Sequence, residues 1–172
     1  MIKSLLLALF AVGSCAVSAQ NIRGRYVSKA EEDGTIYHTF PCTLFENDEA
    51  GDLTFDITYK ERQDGLATLN FTCMREDAAA VDSVLFDAGR TQLRGAVRRI
   101  YAEPEKKRWK HRYSLRTPLA SLCTFFDEEA LPTVTLYEGG RPTVYRAKRS
   151  AWRSYAPVGY KIFETVRVNE IP

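Results

Sequence analysis

Between Leu53 and Cys73 the chain alternates apolar and polar residues with a strict period of two. Leu53, Phe55, Ile57 and Tyr59 alternate with Thr54, Asp56, Thr58 and Lys60, and Ala67, Leu69, Phe71 and Cys73 alternate with Thr68, Asn70 and Thr72. Alternation in β-branched and aromatic residues predicts two half-buried strands. Gln63-Asp64-Gly65 lies between them. A two-residue Asp-Gly turn would set core residues against polar ones, because a one-residue slip flips every side chain to the other face. A three-residue loop, Gln63 to Gly65, pairs Tyr59 with Leu69, Ile57 with Phe71 and Phe55 with Cys73, and puts Gly65 at the left-handed position such loops need. A lone hairpin is only marginally stable, so other elements must cover its apolar face.

The N-terminus reads as an export signal. Lys3 is followed by an apolar run, Leu5 to Val12, too short to span a bilayer, and Val17-Ser18-Ala19 is a small-residue cleavage site. Cleavage there implies a secreted or periplasmic protein. An alternative is a lipoprotein, since Val12-Gly13-Ser14-Cys15 resembles a lipobox, with glycine at an unusual place. Residues 1–19 are thus expected to be a signal peptide and residues 20–172 one β-rich domain, large enough to bury a core. No later run approaches the length of a transmembrane helix.

Charge is distributed unevenly. Residues 20–89 carry 6 Lys/Arg against 14 Asp/Glu, and residues 90–172 carry 17 against 8. Either the two halves pack together and cancel, or the basic half faces a partner. Three cysteines remain after cleavage, Cys42, Cys73 and Cys123. In a simple meander the first two flank the 53–59 strand, about 9–10 Å apart. A disulfide needs Cα atoms within about 7 Å, so buried free thiols are the expectation. The cysteines and histidines show no zinc spacing, and no metal or other cofactor is expected.

Gly24-Arg25-Tyr26 resembles, over three residues and with tyrosine for tryptophan, the Gly-x-Trp opening of lipocalin-like barrels. Residues 21–30 read as a first strand, and Thr35 to Phe45 as a second, with Ile36, His38, Phe40, Cys42 and Leu44 on one face and Pro41 marking an edge or bulge. Glu76 to Val81 is expected to form a short helix and Ser83 to Phe86 a short strand. Thr117-Pro118 opens a predicted helix near 118–130 with an apolar stripe of Leu119, Leu122, Cys123 and Phe126. Gly139-Gly140 joins two strands. Arg149 to Tyr155 reads as one or two helical turns ending before Pro157, and Tyr160 to Val168 as a last strand. The expected architecture is an antiparallel sandwich or partly closed barrel of about seven to nine strands with one or two short helices.

Gln92 to Arg116 holds the candidate site. Trp109, His111, Tyr113 and Leu115 alternate with Lys110, Arg112, Ser114 and Arg116. A five-residue loop, Glu103 to Lys107, sets Tyr101 opposite Trp109, Val97 opposite Tyr113 and Arg98 opposite Arg112. One face then carries Arg94, Arg98, Lys110, Arg112 and Arg116. Like charges directly opposite destabilise a sheet, so an anionic glycan, a phosphate-bearing polymer, an acidic protein surface, open solvent or the chain's own acidic half must compensate. Trp109, near tyrosine and arginine, could stack on a sugar, although aromatics more often fill a core. Nucleic acid fits poorly, since the chain shows no recognised module for it.

Catalysis has little support. His38 and His111 both fall on the inward parity, and no nucleophile elbow, metal-binding helix motif or phosphate loop occurs. Asn70-Phe71-Thr72 is a glycosylation sequon. The expected function is a non-catalytic binding module with a cationic face. Two alternatives are a lipocalin-like barrel whose hollow, lined by Phe55, Ile57, Phe71 and Tyr113, carries a small apolar ligand, and a small hydrolase built on a carboxylate pair.

Overall fold

The computed structural model describes Ile22 and residues 24–169. The expected signal segment, residues 1–19, and Cys15 within it lie outside the described residues. Eleven strands form among the described residues: β1 (Tyr26–Glu31), β2 (Gly34–Thr39), β3 (Cys42–Asn47), β4 (Gly51–Lys60), β5 (Leu66–Arg75), β6 (Ser83–Asp87), β7 (Gln92–Ala96), β8 (Arg98–Glu105), β9 (Arg108–Pro118), β10 (Thr133–Glu138) and β11 (Arg141–Ala147). Two helices accompany them, α1 (Leu119–Asp127) and α2 (Arg149–Asn169). All the strand pairs are antiparallel.

The sheet runs β7-β6-β10-β11-β3-β4-β5-β9-β8, with β2 on β4 and β1 on β2. Its two ends, β7 and β8, are consecutive in the chain and separated by Val97 alone. That one-residue link brings the ends of the sheet together and curls it into a nearly closed barrel. The turn between β1 and β2 needs Gly34, whose φ is +135° and where a Cβ would lie 2.6 Å from the Glu61 carbonyl oxygen.

Parity in the central hairpin is as expected: Leu53, Phe55, Ile57, Tyr59, Ala67, Leu69, Phe71 and Cys73 are all buried. The register is not. Leu53 pairs with Cys73, Phe55 with Phe71 and Ile57 with Leu69, two residues away from the expected alignment. The connection is a five-residue loop, 61–65, in which Arg62 as well as Gly65 takes a positive φ. The second strand expected over 35–45 breaks at Phe40-Pro41 into β2 and β3. Thr39 is buried and its Oγ1 accepts from Ile57 N–H, whereas His38 and Phe40 are exposed, so the inward placing of His38 is corrected. Residues 76–81 form no helix.

The C-terminal region differs most. Residues 149–169 form one helix with Pro157 inside it, not a short helix and a strand. Its buried residues, Trp152, Tyr155, Ala156, Val158, Gly159, Ile162, Phe163 and Val166, follow a helical stripe. Pro157 removes a bond to the carbonyl of residue 153, but both positions face solvent, where that carbonyl can be hydrated. The expected first helix is present as α1; it begins after Pro118 without a side-chain cap, and Thr117 belongs to β9.

Both helices lie against the inner face of the curled sheet. Trp152 packs on Phe45, Tyr155 on Phe55, and Phe125 on Phe86, with ring centroids 5.6–6.3 Å apart. Phe126 joins α1 to α2, with rings of Trp152, Tyr155 and Phe163 around it. Cys42, Cys73 and Cys123 are free thiols; the latter two are buried and Cys42 partly so.

Candidate functional site: an arginine-lined groove at the barrel seam

β9 carries three of the predicted cations, Lys110, Arg112 and Arg116, while Arg94 lies on β7 and Arg98 on β8. The odd-numbered residues of β9 point inward, and His111, Tyr113 and Leu115 are buried. Lys110, Arg112, Ser114 and Arg116 therefore share the outer face. Pairing with β8 departs from the expectation. The hairpin loop is Lys106-Lys107, with Lys106 at φ 59°, and a bulge at Ile100 shifts the register. Arg98 faces Ser114, Tyr101 faces Arg112, and Pro104 faces Trp109. The like-charge pair Arg98–Arg112 is thus replaced by Arg98–Ser114, because the two-residue turn and the bulge together shift the register.

The cations then divide. Arg112 donates to both oxygens of Asp56, at 2.7 and 2.9 Å, and to Thr72 Oγ1 at 3.1 Å. Asp56 also accepts from Asn70 Nδ2 at 3.1 Å. That bond uses the sequon's amide, and Asn70 is buried in mid-strand, so the folded protein does not offer it to a glycan. Lys110 lies 3.6 and 3.8 Å from Glu103 and Glu105. Trp109 is partly buried and lies seven residues from Arg116, about 23 Å along the strand.

Arg94, Arg98 and Arg116 come together elsewhere. They line an open groove of about 700 Å³ where β7 meets β9, with Thr68, Ser114, Gln63 and Asp64. Arg94 stands on β7 opposite Leu85, and Arg116 on β9 opposite Thr68. Gly95 makes the seam close: a Cβ there would lie 2.9 Å from Leu115 Cδ1. Arg116 is ion-paired with Asp64 from the 61–65 loop, and that pairing holds the Asp64 carboxyl below its usual range. Among the described residues no carboxylate is paired with Arg94 or Arg98. Asp56 and Asp64 were not foreseen as counter-ions. Asp56 was within reach of parity reasoning, since it shares the outer face with Asn70 and Arg112 once β4, β5 and β9 are adjacent.

The acidic and basic halves do meet. Arg112–Asp56, Arg116–Asp64, Lys148–Asp52 and Arg75–Glu138 all cross between them. Of the acids considered for a carboxylate pair, Glu31 and Asp33 hold Lys60, and Glu128 accepts from Thr91 and Arg90. Among the described residues no group of three or more His, Cys, Asp or Glu converges to hold a metal ion. No helix among them is long and apolar enough to cross a membrane.

His38 is exposed, with Nδ1 3.1 Å from Thr58 Oγ1. His111 is part of a buried chain of hydrogen bonds. Val81 N–H donates to Tyr113 Oη, which lies 2.9 Å from His111 Nδ1, while His111 Nε2 lies 2.9 Å from the Asp77 carbonyl. The carbonyl needs a donor, so Nε2 carries the proton and Nδ1 accepts from Tyr113. A second ring proton would leave Tyr113 Oη between two donors. Burial lowers the His111 pKa, the Asp77 carbonyl opposes, and the charges of Arg75 and Arg99 add to the lowering. A group whose folded pKa lies below its unfolded value near 6.5 favours the neutral form in the native state. Its contribution is complete above about pH 6.5 and is lost as pH falls toward the folded pKa, by up to about 1.4 kcal/mol per unit. Denaturation midpoints measured from pH 7.5 to 5 should therefore fall below about pH 6.5 in the wild type, and His111→Gln should flatten that segment of the curve. An unchanged slope in the variant would remove this role.

Fold and site together define a nearly closed antiparallel β barrel, filled by two helices, with a polar arginine-lined groove on its outer seam. No protein-family model matches the chain, and comparisons with curated proteins and with solved structures give no match.

Proposed function

We propose that this protein is a secreted or periplasmic, non-catalytic binding module that holds an anionic partner on the seam groove. The observation that carries this reading is the pair Arg94 and Arg98, exposed in a groove of about 700 Å³ and without carboxylate partners among the described residues. Guanidinium forks match carboxylate and phosphate geometry and are weakly hydrated for a cation. Export rests on the Lys3, Leu5–Val12 and Val17–Ala19 pattern. Arg112 and Lys110, already neutralised, are flanking groups in this reading, and Trp109 is a packing residue. The reading as a barrel for a small apolar ligand draws less support, because Phe55, Ile57, Phe71 and Tyr113 are at most 1% exposed and pack on one another and on α2.

The test is titration of fluorescent polyanions (heparin, polyphosphate and an oligo-glutamate peptide) at several salt concentrations. At least one should bind with a Kd that rises steeply with salt. Arg94→Glu/Arg98→Glu should weaken it about 10-fold or more, with circular dichroism unchanged. Salt-independent binding that survives the double reversal would overturn the proposal.

A further inference from the structure

Asp64 occupies the groove as an anion of the chain's own. Its carboxylate reaches Arg116 across 52 residues of sequence, from the 61–65 loop, which is also tied down by Glu61 bonds to Thr35 and Tyr37 and by Leu119 N–H donating to the Gly65 carbonyl. Both side chains are about half exposed, Arg116 at 55% and Asp64 at 44%. An exposed pair of this kind is weak, so a better-placed carboxylate can displace it. We infer that Asp64 is a built-in competitor, and that the groove takes an extended acidic polypeptide whose carboxylates displace Asp64 from Arg116 and engage Arg94 and Arg98. This rests on the reading of the groove as an anion site and names its ligand.

Three features favour a polypeptide. The group already seated on Arg116 is a carboxylate, so that subsite is shown to accept one. The charge density is low: three arginines, one aspartate and no lysine line the groove. Sulfated glycans and polyphosphates carry charge far more densely than that lining can match. The spacing also suits an extended chain. Arg94 on β7 and Arg98 on β8 flank the Val97 link, so their Cα atoms lie at most about 13 Å apart, a distance that an extended peptide covers within four residues. The peptide lies on the outer face, where Arg94, Arg98, Arg116 and Asp64 line the groove.

The experiment uses the full chain and a fluorescein-labelled peptide with glutamates four residues apart, alongside heparin and polyphosphate. Asp64→Asn keeps the oxygen that accepts from Leu66 N–H and removes the competing charge. Asp48→Asn, in the exposed turn at the far end of β4, changes the net charge equally. Asp64→Asn should tighten peptide binding about 2- to 5-fold, the competition an exposed ion pair provides, and Asp48→Asn should leave it nearly unchanged. Equal effects of the two variants, or weaker binding in Asp64→Asn, would overturn the inference. Binding of heparin or polyphosphate without binding of the peptide would overturn it alone and leave the anion site standing. If wild type binds none of the three, the anion site itself fails.

Discussion

Phe126→Ala is expected to cost about 3–5 kcal/mol, a large part of the stability of an ordinary domain. Phe126 is 3% exposed and sits where α1 meets α2. Its ring stacks on Trp152 at 5.7 Å and Phe163 at 6.2 Å, and tilts against Tyr155 at 5.9 Å. Each such pair adds about 0.5–1.5 kcal/mol beyond the area buried. Truncation leaves a cavity that two helices, held to the sheet by their own aromatics, cannot close. The midpoint of thermal unfolding should fall by roughly 10 °C or more. Gly159 supplies a sharper version of the same test. A Cβ there would lie 3.1–3.2 Å from the Phe126 ring, and that ring is hemmed in on its other sides. Gly159→Ala alone should destabilise by about 1–2 kcal/mol through overpacking, even though alanine is the better helix former. With Phe126→Leu present the obstruction is gone, and Gly159→Ala should become neutral or stabilising. A sign that stays the same in both backgrounds would mean the helices are not packed as described.

The reach of sequence reasoning follows from which errors preserve parity. The faces of β4, β5 and β9 were legible because both members of each face alternate with period two. A shift of two residues keeps every side chain on its face, so nothing in the pattern separates Ile57–Phe71 from the observed Ile57–Leu69. The loop decides it, and a five-residue loop with Arg62 at φ 55° has no short signature. The cationic face was legible for the same reason, and its partition was not. The bulge at Ile100 and the two-residue Lys106-Lys107 turn move Arg98 beside Ser114 and bring Glu103 beside Lys110. The expectation of a strand from Tyr160 to Val168 treats Pro157 as a helix stop, whereas the chain continues through it as α2. The same segment read with a period of 3.6 gives the stripe from Trp152 to Val166. A proline on the solvent side of an otherwise well-anchored helix is a local cost that burial along the opposite stripe outweighs.

Asp56→Ala and Arg112→Ala are each expected to lose about 2–4 kcal/mol, somewhat below the cost of breaking a fully buried pair. The Asp56 side chain is 10% exposed and that of Arg112 24%. Removing the aspartate strands a guanidinium that otherwise donates to both its oxygens, and leaves Asn70 Nδ2 without its 3.1 Å acceptor. Removing the arginine strands a carboxylate supported by Asn70 alone. Neither single loss is the worth of the pair, since each includes the penalty for an uncompensated charge. The double variant Asp56→Ala/Arg112→Ala should therefore cost much less than the two singles together, with a coupling of about 1–3 kcal/mol in urea denaturation. A coupling under about 0.5 kcal/mol would place the two charges in open solvent instead. The same double variant separates structure from binding on the outer face. Arg112 is already satisfied by Asp56, so losing both should leave the affinity for a polyanion within about 2-fold, the scale of a single exposed interaction. Arg94→Glu/Arg98→Glu should weaken that affinity about 10-fold or more while leaving the urea midpoint nearly unchanged. The opposite division, with affinity following Arg112 and stability following Arg94 and Arg98, would move the site from the seam to the centre of the sheet.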